Sequence, residues 1–208
     1  MAQLRLRLNA VLTLIDQYGT HKAYYVRQPR KGGQMLQAVN DENGELLFFS
    51  DEKLYTYYSE GRWRYDAVDS SRLTPDQIAR ANIPWEAVPA HRRTKAERRE
   101  LIVLAVKEAV KSGARLGKAM KDVPKQVVAD NAQRWASEDY SAAEAAFKRR
   151  KEAGARMEQN AAPIQPPPFK TPSPRTVWEW CYRYMIEGER VKSLALNDDK
   201  KGKRGSSF

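Results

Sequence analysis

A stretch near the C-terminal end, residues 173–184, combines side chains that bind nucleic acid with the spacing of an amphipathic helix. Its apolar members recur at positions i, i+3, i+4 and i+7, the periodicity of a buried helix face: Val177, Trp180, Cys181 and Tyr184. The opposite side is predicted to expose polar, basic and aromatic side chains: Arg175, Thr176, Trp178, Glu179, Tyr182 and Arg183. Guanidinium and hydroxyl groups are common donors to base edges and phosphates. The pattern therefore predicts a helix that can enter a DNA groove.

The residues that open this helix favour a fixed first turn. Ser173 is a good N-cap, and Pro174 at the first helical position loses no hydrogen bond, because an N–H there has no partner within the helix. A helix in the major groove presents its N-terminal residues to the bases. We expect base readout by Arg175, Thr176, Glu179 and Arg183. Glu179 would accept from a cytosine amine, or would orient Arg175 or Arg183.

Basic residues are concentrated in the second half of the chain. Residues 1–90 hold 11 basic and 11 acidic side chains, whereas residues 91–125 hold 11 basic and 4 acidic ones. Residues 126–147 hold 1 basic and 4 acidic side chains, and residues 148–208 hold 14 and 7. Basic blocks suit DNA phosphates, although a solvated basic surface would have the same composition. The predicted phosphate contacts are Arg92, Arg93, Lys95, Arg98, Arg99 and Lys170.

No constellation of residues predicts catalysis or a metal site. The sequence has neither a phosphate-binding loop of the G-x-x-x-x-G-K-[ST] type nor a G-x-S-x-G nucleophile turn. One cysteine and two distant histidines do not support a zinc site. We expect Cys181 to be a small core residue, and we expect no catalytic residue, metal ligand or cofactor in this chain.

The sequence also predicts a location. No apolar run approaches the roughly 18 residues of a membrane span, and Leu4, Leu6 and Leu8 alternate with arginines where a signal peptide would be apolar. A single cysteine fits a reducing compartment. We therefore expect a cytoplasmic protein without a membrane partner.

The elements that would position the helix predict an α+β fold with a small, barrel-like, β-rich N-terminal domain over residues 1–70. Ser50 is the expected N-cap of one short helix that ends at Gly61, and Asn43-Gly44 is typical of a hairpin turn. The strand candidates are 4–8, 10–15, 22–27, 34–39, 45–49 and a short strand at Trp63 and Tyr65.

The rest of the chain is predicted to be a connector over 71–93, a helical helix-turn-helix domain over 94–190, and a basic, flexible tail over 191–208. Thr94 and Glu97 form a capping box that would begin the first helix, which Gly113 would end. A second helix over 115–136 would be interrupted near Pro124, and Ser141 would cap a third. A Pro-rich insertion at 159–174 cannot remain helical.

The run Arg175-Thr176-Val177-x-x-Trp180-Cys181-x-x-Tyr184 resembles the R-T-[VL]-x-x-W-x-x-x-Y helix in the helix-turn-helix domains of phage-Mu-like DDE transposases. The order of Gly, Tyr and Asn-Gly signals over 19–61 resembles the small β domain that opens many of these proteins. Residues 94–104 resemble their next helix, and residues 201–207 resemble the basic connector before the catalytic domain. The long insertion at 137–172 departs from the family, whose members usually have a tight turn there.

The resemblance implies the DNA-binding N-terminal part of a transposase, which would bind double-stranded transposon ends and assemble with itself in a synaptic complex. Transposition, integration and recombination chemistry would belong to a separate RNase-H-like domain, whose acidic residues bind metal ions such as Mg²⁺. The implied location is the nucleoid of a bacterial or phage-infected cell. Two alternatives stay open: a stand-alone helix-turn-helix transcription regulator, and a protein-interaction module that uses the Pro-rich segment.

Overall fold

The computed structural model describes residues 4, 6–40, 44–66, 84–154, 162–164, 166–187, 189 and 191–195. Over these residues the fold is α+β, as predicted: an antiparallel sheet, with one helix between its last two strands, is followed by further helices. The Asn43 side of the expected hairpin turn, most of the connector and residues 196–208 of the expected tail lie outside the described residues.

The sheet has five strands in the order β4-β3-β2-β1-β5, and every neighbouring pair is antiparallel. The strands are β1 (Val11–Ile15), β2 (His21–Arg30), β3 (Gly33–Ala38), β4 (Leu47–Ser50) and β5 (Trp63–Asp66). The predicted strands at these positions are confirmed. Within the described residues the sheet does not close on itself, since β4 and β5 are its two edges, so the expected barrel-like closure is not seen there.

Alternation of apolar side chains sets the inner face of the sheet. Leu12 pairs with Tyr24 across β1 and β2, and Val26 pairs with Leu36 across β2 and β3; all four side chains are buried. The predicted strand over 4–8 is not among the described strands. Leu4 and Leu6 are nevertheless buried. The alternation of leucine with arginine therefore marks which side chains are buried, although no strand is described there.

Helix α1 (Asp51–Ser59) follows β4 and covers the inner face of the sheet. Ser50 is its N-cap, as predicted, and accepts a hydrogen bond from the backbone N–H of Lys53. Gly61 ends the turn after the helix with a φ of 71°, a conformation that glycine adopts without a steric penalty. Leu54, Tyr55 and Tyr58 are the buried aromatic and aliphatic side chains of this helix.

Helix α2 (Ala90–Lys111) begins four residues before the predicted capping box. Pro89 is its N-cap residue, and the Thr94 hydroxyl donates to the Ala90 carbonyl within the helix, so the prediction of a cap at Thr94 is wrong. The residues from Ala90 to Arg93 tolerate helix well, which lets the helix start earlier. Its predicted end is confirmed, because Gly113 follows the C-cap with a φ of 92°.

Helix α3 (Leu116–Glu152) is one continuous helix of 37 residues, where two separate helices were expected. Pro124 lies inside it and is buried, so burial of the ring offsets the loss of one backbone hydrogen bond. Ser141 is an interior residue of the same helix and caps nothing. The alanines around it, at 142, 143, 145 and 146, are strong helix formers and carry the helix through this region.

The chain then approaches helix α4 (Pro174–Ile186) through an extended, Pro-rich segment, whose described residues are non-helical as predicted. A short helix α5 (Lys192–Ala195) follows. Leu194 is fully buried, so the expectation of a flexible tail from residue 191 is wrong for this turn.

One hydrophobic core unites the sheet and the helices. Buried side chains from the two parts, among them Leu12, Leu54, Val103, Cys181 and Leu194, belong to a single cluster. The predicted division at residues 70 and 94 stays a prediction, and the two regions that flank it share this core. The buried side of α4 therefore packs into the core that the sheet and the other helices share.

Candidate nucleic-acid interface

The first turn of α4 is fixed by its own side chains. The Ser173 hydroxyl accepts from the backbone N–H of Thr176 at 3.2 Å and lies 2.9 Å from the Thr176 hydroxyl. Pro174 occupies the first turn, as the sequence predicted. Ser173, Pro174 and Arg175 are exposed or partly exposed, so a rigid and positively polarised helix end faces solvent.

Four of the predicted readout residues share one side of α4. Helical geometry places Arg175, Thr176, Glu179 and Arg183 within an arc of about 100°. Arg175 and Glu179 are exposed, while Thr176 and Arg183 are partly exposed. The Arg175 Nε atom lies 3.5 Å from Glu179 Oε1, which makes Glu179 a partner that orients Arg175. We call these four residues the outer face of α4.

Tyr182 does not belong to the outer face, and its expected exposure is wrong. Its side chain is 6% exposed, and its ring meets that of Trp178 at a centroid distance of 4.3 Å. Trp178 is half-buried, with its indole N–H inside the protein. Tyr182 is buried because other elements pack against more than one side of α4. Helices α2 and α3 pack against one side, and the region of Asp51 and Leu4 packs against another.

A buried polar junction forms where Tyr182 meets α1. Asp51 is 4% exposed, and its Oδ2 atom accepts from the backbone N–H of Leu4 at 3.3 Å. The Asp51 carboxylate and the Tyr182 hydroxyl lie close enough to interact electrostatically. Burial raises the pKa of Asp51, and burial together with the neighbouring carboxylate raises the pKa of Tyr182.

The inner side of α4 is a structural surface. Cys181 is fully buried, and burial raises the pKa of its thiol to about 12, so it stays protonated and acts as a small core residue, as expected. The Tyr184 hydroxyl donates to Glu100 Oε1 at 2.8 Å and ties α4 to α2. Burial, followed by this hydrogen bond, raises the pKa of Tyr184.

Arg98 was expected to contact phosphate, yet its side chain is buried. Its guanidinium makes two 2.9 Å hydrogen bonds to Asp139 and one of 3.1 Å to Glu138. It also donates to the Trp135 carbonyl at 3.2 Å and lies over the rings of Trp135 and Phe169. Burial lowers the pKa of Arg98, but the hydrogen bonds to Asp139 and Glu138 outweigh burial and raise it. Arg98 thus joins α2, α3 and the Pro-rich segment.

Arg99 is half-buried and also has partners within the chain. Its Nη1 atom donates to the Leu194 carbonyl at 2.6 Å, and its guanidinium carbon lies 5.2 Å from the centre of the Trp180 ring. Trp180 was assigned to the buried stripe, but it is not fully buried and borders the outer face. The helical spacing that placed Trp180 in the stripe could not foresee the guanidinium above it.

The remaining predicted phosphate contacts are accessible to different degrees. Lys95 on α2 and Lys170 before α4 are exposed, whereas Arg92 and Arg93 are half-buried near the start of α2. The rings of Phe169 and Trp135 pack with their centroids 5.0 Å apart. Lys170 follows Phe169 directly and lies between this contact and the first turn of α4. Lys170 and Ser173 therefore lie in the segment that leads into the first turn of α4.

Two sets of basic residues on α3 were not among the predicted contacts. The first set occupies the N-terminal part of the helix and the residue before it: Arg115, Lys118, Lys121 and Lys125. The second set is a run of four consecutive side chains near its C-terminal end: Lys148, Arg149, Arg150 and Lys151. The excess of basic residues in these blocks was visible in the sequence, but the helix that displays them was expected to break at Pro124.

Over the described ranges, no group of three or more His, Cys, Asp and Glu side chains is arranged to hold a metal ion. The helices in the same ranges include none with the length and apolarity that crossing a membrane requires. No protein-family model matches the chain, and no curated protein matches it.

Proposed function

We propose that this chain binds double-stranded DNA sequence-specifically through the outer face of α4, as the end-binding part of a DDE transposase. The observation that carries the proposal is the pairing of a fixed, exposed first turn with four polar side chains on one arc. A helix whose other sides are packed against the protein is already ordered before it enters a groove, so its backbone loses no conformational entropy on binding.

In this proposal α3 and α4 are the two helices of the DNA-binding motif, and α2 packs behind them. All three helices contact one another, which is the arrangement that supports a recognition helix. The tight turn of the usual motif is replaced by the distal half of α3 and the Pro-rich segment. Phe169 compensates for the missing turn, because its contacts with Trp135 and Arg98 fix the chain shortly before Ser173.

Charge supports a nucleic-acid partner. The chain has a formal net charge of +11, and the excess lies after residue 90, in the part of the chain that forms α2 to α5. Lys95 and Lys170 are exposed and available for phosphates, while Arg175 and Arg183 would read bases. In the Pro-rich segment, by contrast, Phe169 packs against Trp135 of the same chain. The hypothesis that this segment docks onto a partner protein is therefore less well supported than DNA binding.

The transposase assignment rests on the sequence resemblance of α4 and its flanks. It assigns recognition of transposon ends to this chain, and strand transfer with Mg²⁺ to an RNase-H-like domain of the same transposase. Such a protein would work on the nucleoid. Paired, non-palindromic sites at the two ends of a mobile element would support this role, whereas a palindromic operator would support a dimeric transcription regulator.

A selection from a pool of randomised duplexes tests DNA recognition directly. We expect one sequence to be enriched, and we expect Arg183→Ala to weaken binding to that sequence by about 1–3 kcal/mol, because a base contact is lost. Binding to unrelated duplexes should change much less. Arg175→Ala should behave similarly, since Arg175 belongs to the same face.

Arg7→Ala is the matched control, because Arg7 is an exposed arginine in the sheet region. It should leave specific binding unchanged. Failure to enrich any sequence would contradict the proposed function. Equal losses for Arg7→Ala and Arg183→Ala would show that only net charge matters.

A further inference from the structure

We propose that the distal half of α3 is an arm that contacts DNA phosphates away from the site read by α4. The proposal rests on the proposed function and specifies which part of the DNA this helix contacts. The arm comprises residues 136–152, and its basic tip comprises Lys148, Arg149, Arg150 and Lys151.

The two halves of α3 differ sharply in burial. Leu116, Ala119, Met120, Pro124 and Trp135 are the buried residues of the helix, and none of them lies beyond Trp135. Residues 136–152 are exposed except for Asp139, Ala143 and Phe147, which are half-buried. Beyond Glu138 and Asp139, which bind Arg98, the segment packs little against the described core and has no evident role in stabilising it.

The basic tip lies at a distance that suits DNA. Lys148 and Lys151 are 13 and 16 residues beyond Trp135, which corresponds to about 20–24 Å along the helix axis. Ser173 is four residues beyond Phe169, which contacts Trp135, so Ser173 lies within about 14 Å of that anchor. With the 5.0 Å between the Trp135 and Phe169 rings and the reach of these two side chains added, the tip is at most about 50 Å from the first turn of α4, which is between one and two turns of DNA at about 34 Å each.

The tip can meet a phosphate backbone from many directions. Four consecutive helical residues point in directions about 100° apart, so at least one or two cations face a duplex on any side. All four side chains are exposed. They also offset the negative end of the helix dipole, which is the role such residues would have without DNA.

The experiment uses the full chain and the duplex enriched by selection, in a trimmed form and in a form with about one extra helical turn on each side. The tip variant carries Lys148→Gln, Arg149→Gln, Arg150→Gln and Lys151→Gln, because glutamine keeps high helix propensity without charge. We expect about a tenfold or greater loss of affinity on the extended duplex and little loss on the trimmed one. The slope of log affinity against log salt should fall by about 0.9 per lost phosphate contact.

A second variant provides a control of equal charge near the other end of the same helix: Arg115→Gln, Lys118→Gln, Lys121→Gln and Lys125→Gln. Circular dichroism should show unchanged helicity for both variants. Hydroxyl-radical footprinting should show protection about one turn from the α4 site, lost only in the tip variant. Equal losses for the two variants on both duplexes would overturn the proposal.

Specific binding by the unaltered chain combined with no effect of the tip variant would overturn the arm and leave the proposed function intact. Absence of specific binding by the unaltered chain would instead contradict the proposed function. Retained DNA binding together with lost binding of an acidic peptide by the tip variant would assign the tip to a protein partner and overturn the proposal.

Discussion

The interior of the molecule and the outer face of α4 hold the same kinds of charged side chain in opposite surroundings. Arg98 is 5% exposed and contacts two carboxylates and two aromatic rings, whereas the Arg175 side chain is 78% exposed and pairs with Glu179. Asp51 is 4% exposed, whereas the Glu179 side chain is 47% exposed. The same chemical group is thus a structural connector inside and an accessible contact outside.

An arginine near a basic segment is therefore not by itself a DNA contact. Arg98 and Arg99 lie in the most basic part of α2, yet both hold other elements of the fold in place. Arg175 and Arg183 are left to face solvent because the other sides of α4 are covered. Substitutions on each side should therefore change different measurable quantities.

The largest expected effect comes from Arg98→Ala. We expect the free energy of unfolding to fall by about 2–3 kcal/mol, because charge-assisted hydrogen bonds and ring contacts are lost from a buried site. Chemical denaturation measures this change. Arg134→Ala is the control, since Arg134 is an exposed arginine on α3, and it should change stability by less than about 0.5 kcal/mol. A similar small change for Arg98→Ala would contradict the structural role of Arg98.

A smaller effect is expected from Lys170→Ala, and it should appear in binding alone. Loss of one phosphate contact should weaken binding to all duplexes about fivefold at roughly 0.15 M salt and reduce the salt slope by about 0.9. Denaturation should be unchanged, since Lys170 is exposed. Lys22→Ala removes a charge from the sheet and should leave the slope unaltered. A sequence-dependent loss for Lys170→Ala would mean that Lys170 reads a base.

The smallest effect is a difference between Asp51 and Glu179 in how the Tm of their variants depends on pH. Burial raises the pKa of Asp51, so its protonated form favours the folded state, and this contribution is lost as pH rises through the folded-state pKa. In Asp51→Asn the side-chain amide cannot ionise, and its oxygen can still accept from the backbone N–H of Leu4. We expect the Tm of this variant relative to the unaltered protein to increase from about pH 4 to about pH 7.

Glu179→Gln is the counterpart on the outer face. Its exposed ion pair with Arg175 contributes at most about 0.5 kcal/mol, so the Tm difference should stay small throughout this range. Equal pH profiles for the two variants would contradict the contrast between the buried and exposed carboxylates.

Local signals in the sequence predicted much of the fold. The N-caps Ser50 and Ser173, the helix end at Gly113 and the alternating strands were all found where expected, because each depends on neighbouring residues. Capping at Thr94 and Ser141 was predicted by the same rules and is wrong. At those positions stronger helix formers upstream, or on both sides, extend the helix through the candidate cap.

The candidate site was predicted less completely, since a periodic stripe describes one buried side of a helix. Tyr182 lies opposite that stripe and is nevertheless buried, because a second element, the start of α1, covers it. Contacts between residues that are far apart in the sequence leave no local pattern. For the same reason the partners of Arg98 on α3 were not foreseen.

Local sequence is sufficient to specify that residues 173–186 form a capped helix with Arg175, Thr176, Glu179 and Arg183 on one side, since caps and helical period are local properties. Which charged and aromatic groups remain accessible depends on the packing of the whole fold. Burial depends on how distant elements cover a helix, and it turned Arg98 and Tyr182 inward while it left the outer face of α4 and the basic tip of α3 in solvent.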